Sequence, residues 1–188
     1  VRTLPAEAFE PFGGRVRVVN MLRRAAEATA DHYIEFSSQD GIPMWDFGAP
    51  GLARLGDFGA RDSDPFNGIE PVDSSAAAIA AQGLIRLGRC LRGESKKAHS
   101  RAKRYQQAGY TIARSLFAAP YLSTDPRHQG LILHSIYHRP NGWDHVPAGE
   151  KVPCGESSMW GDYHALELGM MIWRESQDMP PYHFYDCV

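Results

Sequence analysis

Four stretches of this 188-residue chain carry helical periodicity, and they alternate in kind. The first, from about Val18 to Phe36, has an apolar stripe of Leu22, Ala25, Thr29, Tyr33 and Phe36, with Arg23, Arg24, Glu27 and Asp31 elsewhere, so it reads as an amphipathic outer helix. The second, from about Ser75 to Leu91, carries two stripes: Ala76, Ala80, Leu84, Leu87 and Leu91, and Ala77, Ala81, Ile85 and Gly88. A helix apolar on two sides is buried on two sides. The third, from about Lys97 to Ala118, sets Ala98, Ala102, Tyr105, Gly109, Ile112 and Leu116 against a basic face, and reads as outer. The fourth, from about Trp160 to Arg174, is apolar nearly all round, with Tyr163, Leu166, Met170 and Trp173 on one side and Leu168, Met171 and Ile172 on another. Outer, inner, outer, inner implies two layers of helical hairpins, because a simple four-helix bundle would repeat one amphipathic pattern four times.

The connections are unequal. About forty Gly- and Pro-rich residues, Ser37 to Ser74, lead into the second helix, and another long stretch leads into the fourth. Loops of that length in a compact domain usually carry function. Both lead into inner helices, which implies that they open on one end of the array and bring Trp45, Asp46, Asp73, Ser74 and Ser75 near residues 135–164. Within the second loop, Gly130 to Tyr137 partly alternates and fits a short strand. Residues 1–17 read as irregular, and the whole chain as one domain.

Composition excludes several classes. A net charge of -2 gives no basis for nucleic-acid or membrane-surface binding. No apolar run approaches a membrane span, and VRTLPAEAFEPF lacks the apolar core of a secretory leader, so a cytoplasmic location is expected. Cys90, Cys154 and Cys187 are odd in number and widely spaced, which fits reduced thiols and neither a disulfide framework nor a structural zinc site.

The chemistry concentrates in SIYHRPNGWDHVPAGEKVPCGESSMWGDYH, residues 135–164, too polar for a core and too aromatic for an ordinary solvated loop. Ring faces with a few placed polar heads suit a ring-shaped, hydroxylated ligand. His134, His138, Arg139, Asn141, His145 and Lys151 are candidate hydroxyl or anion ligands; Lys and Arg suit a carboxylate. Trp143 and Trp160 offer stacking faces, against the alternatives of loop anchor and core packing. Ser157 and Ser158 either cap the fourth helix or hold an anion with its first N–H groups, and the two are compatible. Asp73 either caps the second helix or stands at the mouth of a site. Asp57, Asp62 and Asp64 read as solvated, without the ligand pattern of a calcium loop. His134 and His138 lack a third ligand, so no metal is expected. There is no GxSxG elbow for a Ser hydrolase, and nothing marks Cys154 as a nucleophile.

Three segments, DHYIEFSSQDGIPMWDF, EPVDSSAAAIAAQGLIRL and YLSTDPRHQGLILHSIYHRPNGWDHVPAGEKVPCGESSMWGDYHALEL, resemble in order the C-terminal half of the unsaturated glucuronyl hydrolases, glycoside hydrolase family 88, over about Ala26 to Arg174. The resemblance implies an all-α fold, part of an (α/α)6 toroid of six hairpins. It implies a glycoside hydrolase that hydrates the 4,5-double bond of an unsaturated uronic acid at the non-reducing end of lyase-generated oligosaccharides, with no metal or organic cofactor. An Asp protonates the enol ether and directs water onto C5, rather than the paired-carboxylate attack of most glycosidases. The unsaturated oligosaccharide is the implied partner. The residues that carry over are His138, Asn141, Ser157 and Ser158, with Trp160 beside them. Arg139 and Lys151 join them as substrate-binding candidates on their charge.

The family's catalytic Asp residues lie in its N-terminal half, and EPFGGRVRVVNML does not match its Trp/Arg-rich helix entrance. Asp73 is not carried over as the acid, the catalytic residues stay unassigned, and the isolated chain is expected to be inactive. Four helices cannot close a ring of twelve, so exposed inner-helix faces imply a homodimer or another partner. The alternatives are a non-catalytic helical sugar-binding or oligomerisation module, and an unsaturated rhamnogalacturonyl hydrolase, which shares the toroid and the chemistry.

Overall fold

The computed structural model describes residues 4–92 and 96–180. Four long helices form where the periodicity puts them: α1 (Arg15–Phe36), α2 (Ser74–Leu91), α3 (Lys96–Leu116) and α4 (Met159–Ser176). Helix α2 is the central element. It packs most extensively on α3, next on α4, and only slightly on α1.

The α2–α3 pair rests on small residues. All six residues of the α3 stripe, Ala98, Ala102, Tyr105, Gly109, Ile112 and Leu116, are buried. So is the Ala77, Ala81, Ile85, Gly88 stripe of α2, whereas Ala76, Ala80 and Leu87 of the other stripe are only partly covered. A Cβ added to Gly88 would stand 2.7 Å from the Ala102 carbonyl oxygen, and one added to Gly109 would stand 2.9 Å from that of Ala81. Each helix therefore gives a glycine to the other's backbone, two turns apart along both.

The first helix is outer, but its docking face differs from the predicted stripe. Leu22 and Phe36 are exposed, and the covered side runs through Arg23, Glu27, Ala30 and Ile34. Ion pairs join the apolar contacts of Ala30, Tyr33 and Ile34 there: Glu27, held within α1 by Arg23 (2.8 Å), pairs with Arg101 of α3, while Asp31 accepts from Arg104 and from the Tyr105 hydroxyl (3.0 Å). The basic face of α3 thus has a purpose that periodicity alone does not show. The acidic Asp31 holds the Tyr105 phenol up at about 12, after the larger effect of burial.

Helix α4 also departs from expectation. Gly161, Ala165, Leu168 and Met171 are buried, but Tyr163, Leu166, Met170 and Trp173 face solvent, with Leu166 63% and Trp173 52% exposed. Its second apolar side lacks a cover among the described residues.

Residues 4–17 are more regular than expected, with a 3₁₀ helix at Ala6–Phe12 before α1 begins at Arg15. Residues 1–3 and Cys187 lie outside the described residues. No strand forms among the described residues. The segment from Gly130 to Tyr137 makes one antiparallel bridge, Ile132 to Leu122, and His134 at φ 68° ends the extended run. A second bridge pairs Met44 with Val72. Described helices are not long and apolar enough to cross a membrane.

Candidate functional site

Both long loops converge on the N-terminal ends of α2 and α4, as the alternation implies. The Ser74 N–H donates to the His134 carbonyl at 3.1 Å, and the Ser74 and Ser135 hydroxyls meet at 3.1 Å. His134 is the buried rivet between the loops. Its ring lies edge-on to Phe66 and Tyr121, and its Nδ1 accepts from the Gly155 N–H at 3.0 Å. Burial lowers its pKa to about 4, so it is neutral at pH 7. His138 is elsewhere, on the exposed turn it caps, so the two do not form a ligand pair. No group of three or more His, Cys, Asp or Glu that could hold a metal occurs among the described residues.

Three aromatic rings form a ladder over this junction. Tyr137 lies between Trp143 (centroids 5.6 Å apart, planes at 28°) and Trp160 (5.3 Å, 33°), and His138 flanks Trp143 at 5.0 Å. All three are solvent-facing, so the ladder is a platform and not a core. It is anchored at its base by a relay. The Trp160 indole N–H donates to Ser75 Oγ at 3.1 Å, and the Ser75 hydroxyl donates to Asp73 Oδ1 at 2.7 Å. That Asp73 oxygen also accepts from the N–H groups of Ser75 (2.9 Å) and Ile136 (3.3 Å), tying the N-terminus of α2 to the second loop. Burial raises the Asp73 pKa above the usual carboxylate value, against the opposing pull of these hydrogen bonds.

The other carboxyls nearby are also committed to the backbone. Asp144 accepts from the N–H groups of Tyr137 and His138, the latter at 3.0 Å, and so holds the turn that presents the rings. Asp162 accepts from Leu131 (2.9 Å) and Ile132 (3.0 Å), pinning that loop to the first turn of α4.

The two serines have separate roles. Ser157 donates to the Ile132 carbonyl (2.6 Å) and lies 2.8 Å from His128 Nε2, so with its proton so placed it accepts the imidazole N–H. Ser158 is the N-cap of α4, accepting from Gly161 N at 3.1 Å, and its own hydroxyl proton is available to a ligand. His138 Nδ1 accepts from the Asn141 N–H at 3.3 Å, which leaves Nε2 as the outward nitrogen. Asn141 is exposed on that turn, and Arg139 beside it makes no ion pair among the described residues.

The remaining candidates fall away from the platform. Lys151 is exposed, with its stem beside Gly68 of the first loop. Trp45 donates to the buried Glu70 at 2.8 Å, and Asp46 closes its own turn on Gly48. Cys90 and Cys154 are unbridged; Cys154 is buried, and burial raises its thiol pKa. The sequence reading missed Tyr137, Asp144 and His128. An Asp six or seven residues after the N–H groups it binds gives only a weak signal, and nothing local marks His128.

No family model matches the chain. It is 28% identical over 144 residues to the unsaturated glucuronyl hydrolase of Formosa agariphila, covering 76% of this chain and 28% of that protein. The unsaturated glucuronyl hydrolase from Bacillus sp. GL1, described as responsible for glycosaminoglycan degradation, superposes with a TM-score of 0.60 at 24% identity, over 89% of this chain and 36% of that one. A UGL variant bearing the saccharide dGlcA-Glc-Rha-Glc gives 0.59 at 25% identity with the same coverage. The Streptococcus agalactiae enzyme gives 0.53 at 22% identity, over 78% and 30%. These likenesses relate the chain to the unsaturated glucuronyl hydrolases, and its layered helices are part of the (α/α) toroid of that group. The chain spans about a third of the length of these relatives.

Proposed function

We propose that this chain is the saccharide-recognising wall of a glycoside hydrolase of the unsaturated glucuronyl hydrolase type. The observation that carries this reading is the Trp160–Tyr137–Trp143 ladder anchored through Ser75 on Asp73, on a chain related to those enzymes. The ligand is an oligosaccharide ending in a 4,5-unsaturated uronic acid. Its ring lies on the ladder, while Ser158, His138 and Asn141 supply hydrogen bonds and Arg139 attracts the carboxylate. Ser157, Trp160 and Lys151 complete the substrate-binding set, Lys151 from the periphery.

The chain alone does not hydrate the double bond. Asp73, Asp144 and Asp162, the carboxyls around the ladder, each accept backbone N–H groups and so anchor the loops, and none is assigned here as the acid. Titrating the protein with an unsaturated chondroitin disaccharide is expected to quench Trp fluorescence saturably, with no loss of enol-ether absorbance. Trp143→Ala and Tyr137→Ala each weaken binding about tenfold, since lost stacking and burial amount to about 1.4 kcal/mol. Turnover by this chain alone overturns the inactive reading; a folded chain that does not bind overturns the wall. Tighter binding of an unsaturated rhamnogalacturonan disaccharide assigns the other substrate class.

The bare side of α4 favours a second reading, in which the chain self-associates. Tyr163, Leu166, Met170 and Trp173 make a contiguous apolar strip running down from the ladder. A homodimer through this face should sediment as twice the chain mass and revert to monomer on Leu166→Glu. A clean monomer at high concentration removes this reading.

A further inference from the structure

We infer that three copies of this chain associate head to tail, the bare side of α4 in one copy packing on the bare side of α2 in the next, to close a ring of six helical hairpins. The two inner helices each leave one apolar side open. On α4 that side is Tyr163, Leu166 and Met170, all at least a third exposed. On α2 it is Ala76, Ala80 and Leu87, which are only partly covered. Both sets recur at three, four or seven residues, so each shares one helix face, and neither contains a charge.

The directions of these faces select a ring. Helices α2 and α4 run parallel, since Gln82 meets the His164 carbonyl, Arg86 meets Glu167 and Arg89 meets Glu175 in rising order. At about 100° per residue, Ala76, Ala80 and Leu87 centre about 120° round α2 from Gln82 and Arg86. Tyr163, Leu166 and Met170 centre about 100° round α4 from His164 and Glu167, in the opposite sense. Parallel helices whose two contact sides diverge by such angles in opposite senses follow a closed polygon, whereas equal senses would give a zigzag layer. The interior angle of a six-membered ring is about 120°, so six inner helices close it. The residues of α2 that face α3, Ala81, Ile85 and Gly88, lie on the outside of its corner, where an outer helix belongs.

Each copy supplies two inner helices, so three copies complete the six, and the chain spans about a third of the length of its toroidal relatives. The contact joins two different patches, which makes it heterologous, and its rotation closes instead of running on as a filament. Ridges fit grooves across it, because the large side chains of α4 stand over the alanines of α2. Both inner helices begin at the end that carries the ladder, so the three ladders open on one rim. The inference rests on the toroid kinship and not on the saccharide reading, and it gives the α4 strip a different occupant from the face-to-itself homodimer.

Sedimentation equilibrium of the native chain is expected to give three times the 20.9 kDa chain mass. Leu166→Glu removes the α4 side and Ala80→Glu the α2 side, and each variant is expected to sediment as a monomer with an unchanged helical circular dichroism spectrum. Mixed one to one, they should form a heterodimer of twice the chain mass and nothing larger, because each retains the side that the other has lost. A native chain that stays monomeric at high concentration overturns the inference. So does a dimer that survives Ala80→Glu, which assigns the α4 strip to the symmetric homodimer, and so does a trimer that neither substitution dissociates.

Discussion

Gly109→Ala and Gly88→Ala are each expected to destabilise the protein by about 1–3 kcal/mol, although helix propensity alone predicts the opposite. An alanine inside a helix gains about 1 kcal/mol over glycine in an isolated peptide. Against that, the new methyl at Gly109 meets the Ala81 carbonyl oxygen and the Ile85 side chain, and at Gly88 the Ala102 carbonyl oxygen and Gln106. Side chains can move aside, but the carbonyls belong to the partner helix's own hydrogen-bond ladder. The helices must separate, and the whole α2–α3 interface loosens. Gly83→Ala supplies the control. It sits in the same helix, exposed, with nothing within 4 Å of an added Cβ, so it is expected to stabilise by about 0.5–1 kcal/mol. Thermal denaturation reads the contrast directly, at about 2–4 °C per kcal/mol for a chain of this size. If all three substitutions stabilise, the backbone contact that we assign to α2 and α3 is not there.

The same glycines show why part of the fold was legible in advance. Stripes that pack by shape leave a period in the sequence, and both the α3 stripe and the Ala77–Gly88 stripe of α2 are buried as read. Surfaces that pack by charge do not. On α1, Glu27 and Asp31 meet Arg101 and Arg104 beside the packed Ala30, Tyr33 and Ile34, so an apolar-stripe argument finds Tyr33 but also selects the exposed Leu22 and Phe36. For α4 the pattern reports two apolar sides, of which only Gly161, Ala165, Leu168 and Met171 are covered. In the site, composition reveals the aromatic segment, and capping rules reveal Ser158 and Asp73. They do not reveal that Tyr137 is the middle rung, that Ser157 is held between His128 and Ile132, or that Lys151 stands off beside Gly68, because those contacts bridge residues far apart in the chain.

Asp73 is where fold and platform meet, and its removal should affect both. Asp73→Ala deletes the N-cap of α2, worth about 1 kcal/mol. It also strands the Ile136 N–H and the Ser75 hydroxyl, at about 1–3 kcal/mol for a buried unmet group. Together the expected loss is about 2–4 kcal/mol. Because Ser75 Oγ is the acceptor for the Trp160 indole, the same change frees that ring, and saccharide affinity falls with stability. Asp73→Asn retains an acceptor oxygen and separates the two effects: it should keep the cap and most of the binding. It also isolates the titration. Burial raises the folded-state pKa of Asp73 above its ordinary value of 3.8, so over the interval between those two values the folded state holds more proton than the unfolded one. Linkage then makes this group's contribution fall as pH rises from about 4 through the raised value, and stay level above it. Urea unfolding across that interval should show the native chain losing stability relative to Asp73→Asn as pH increases. Parallel profiles would mean that the carboxyl is not desolvated by the loop it anchors, and an Asp73→Ala variant as stable as the native chain would remove it as the link between α2 and the ring ladder.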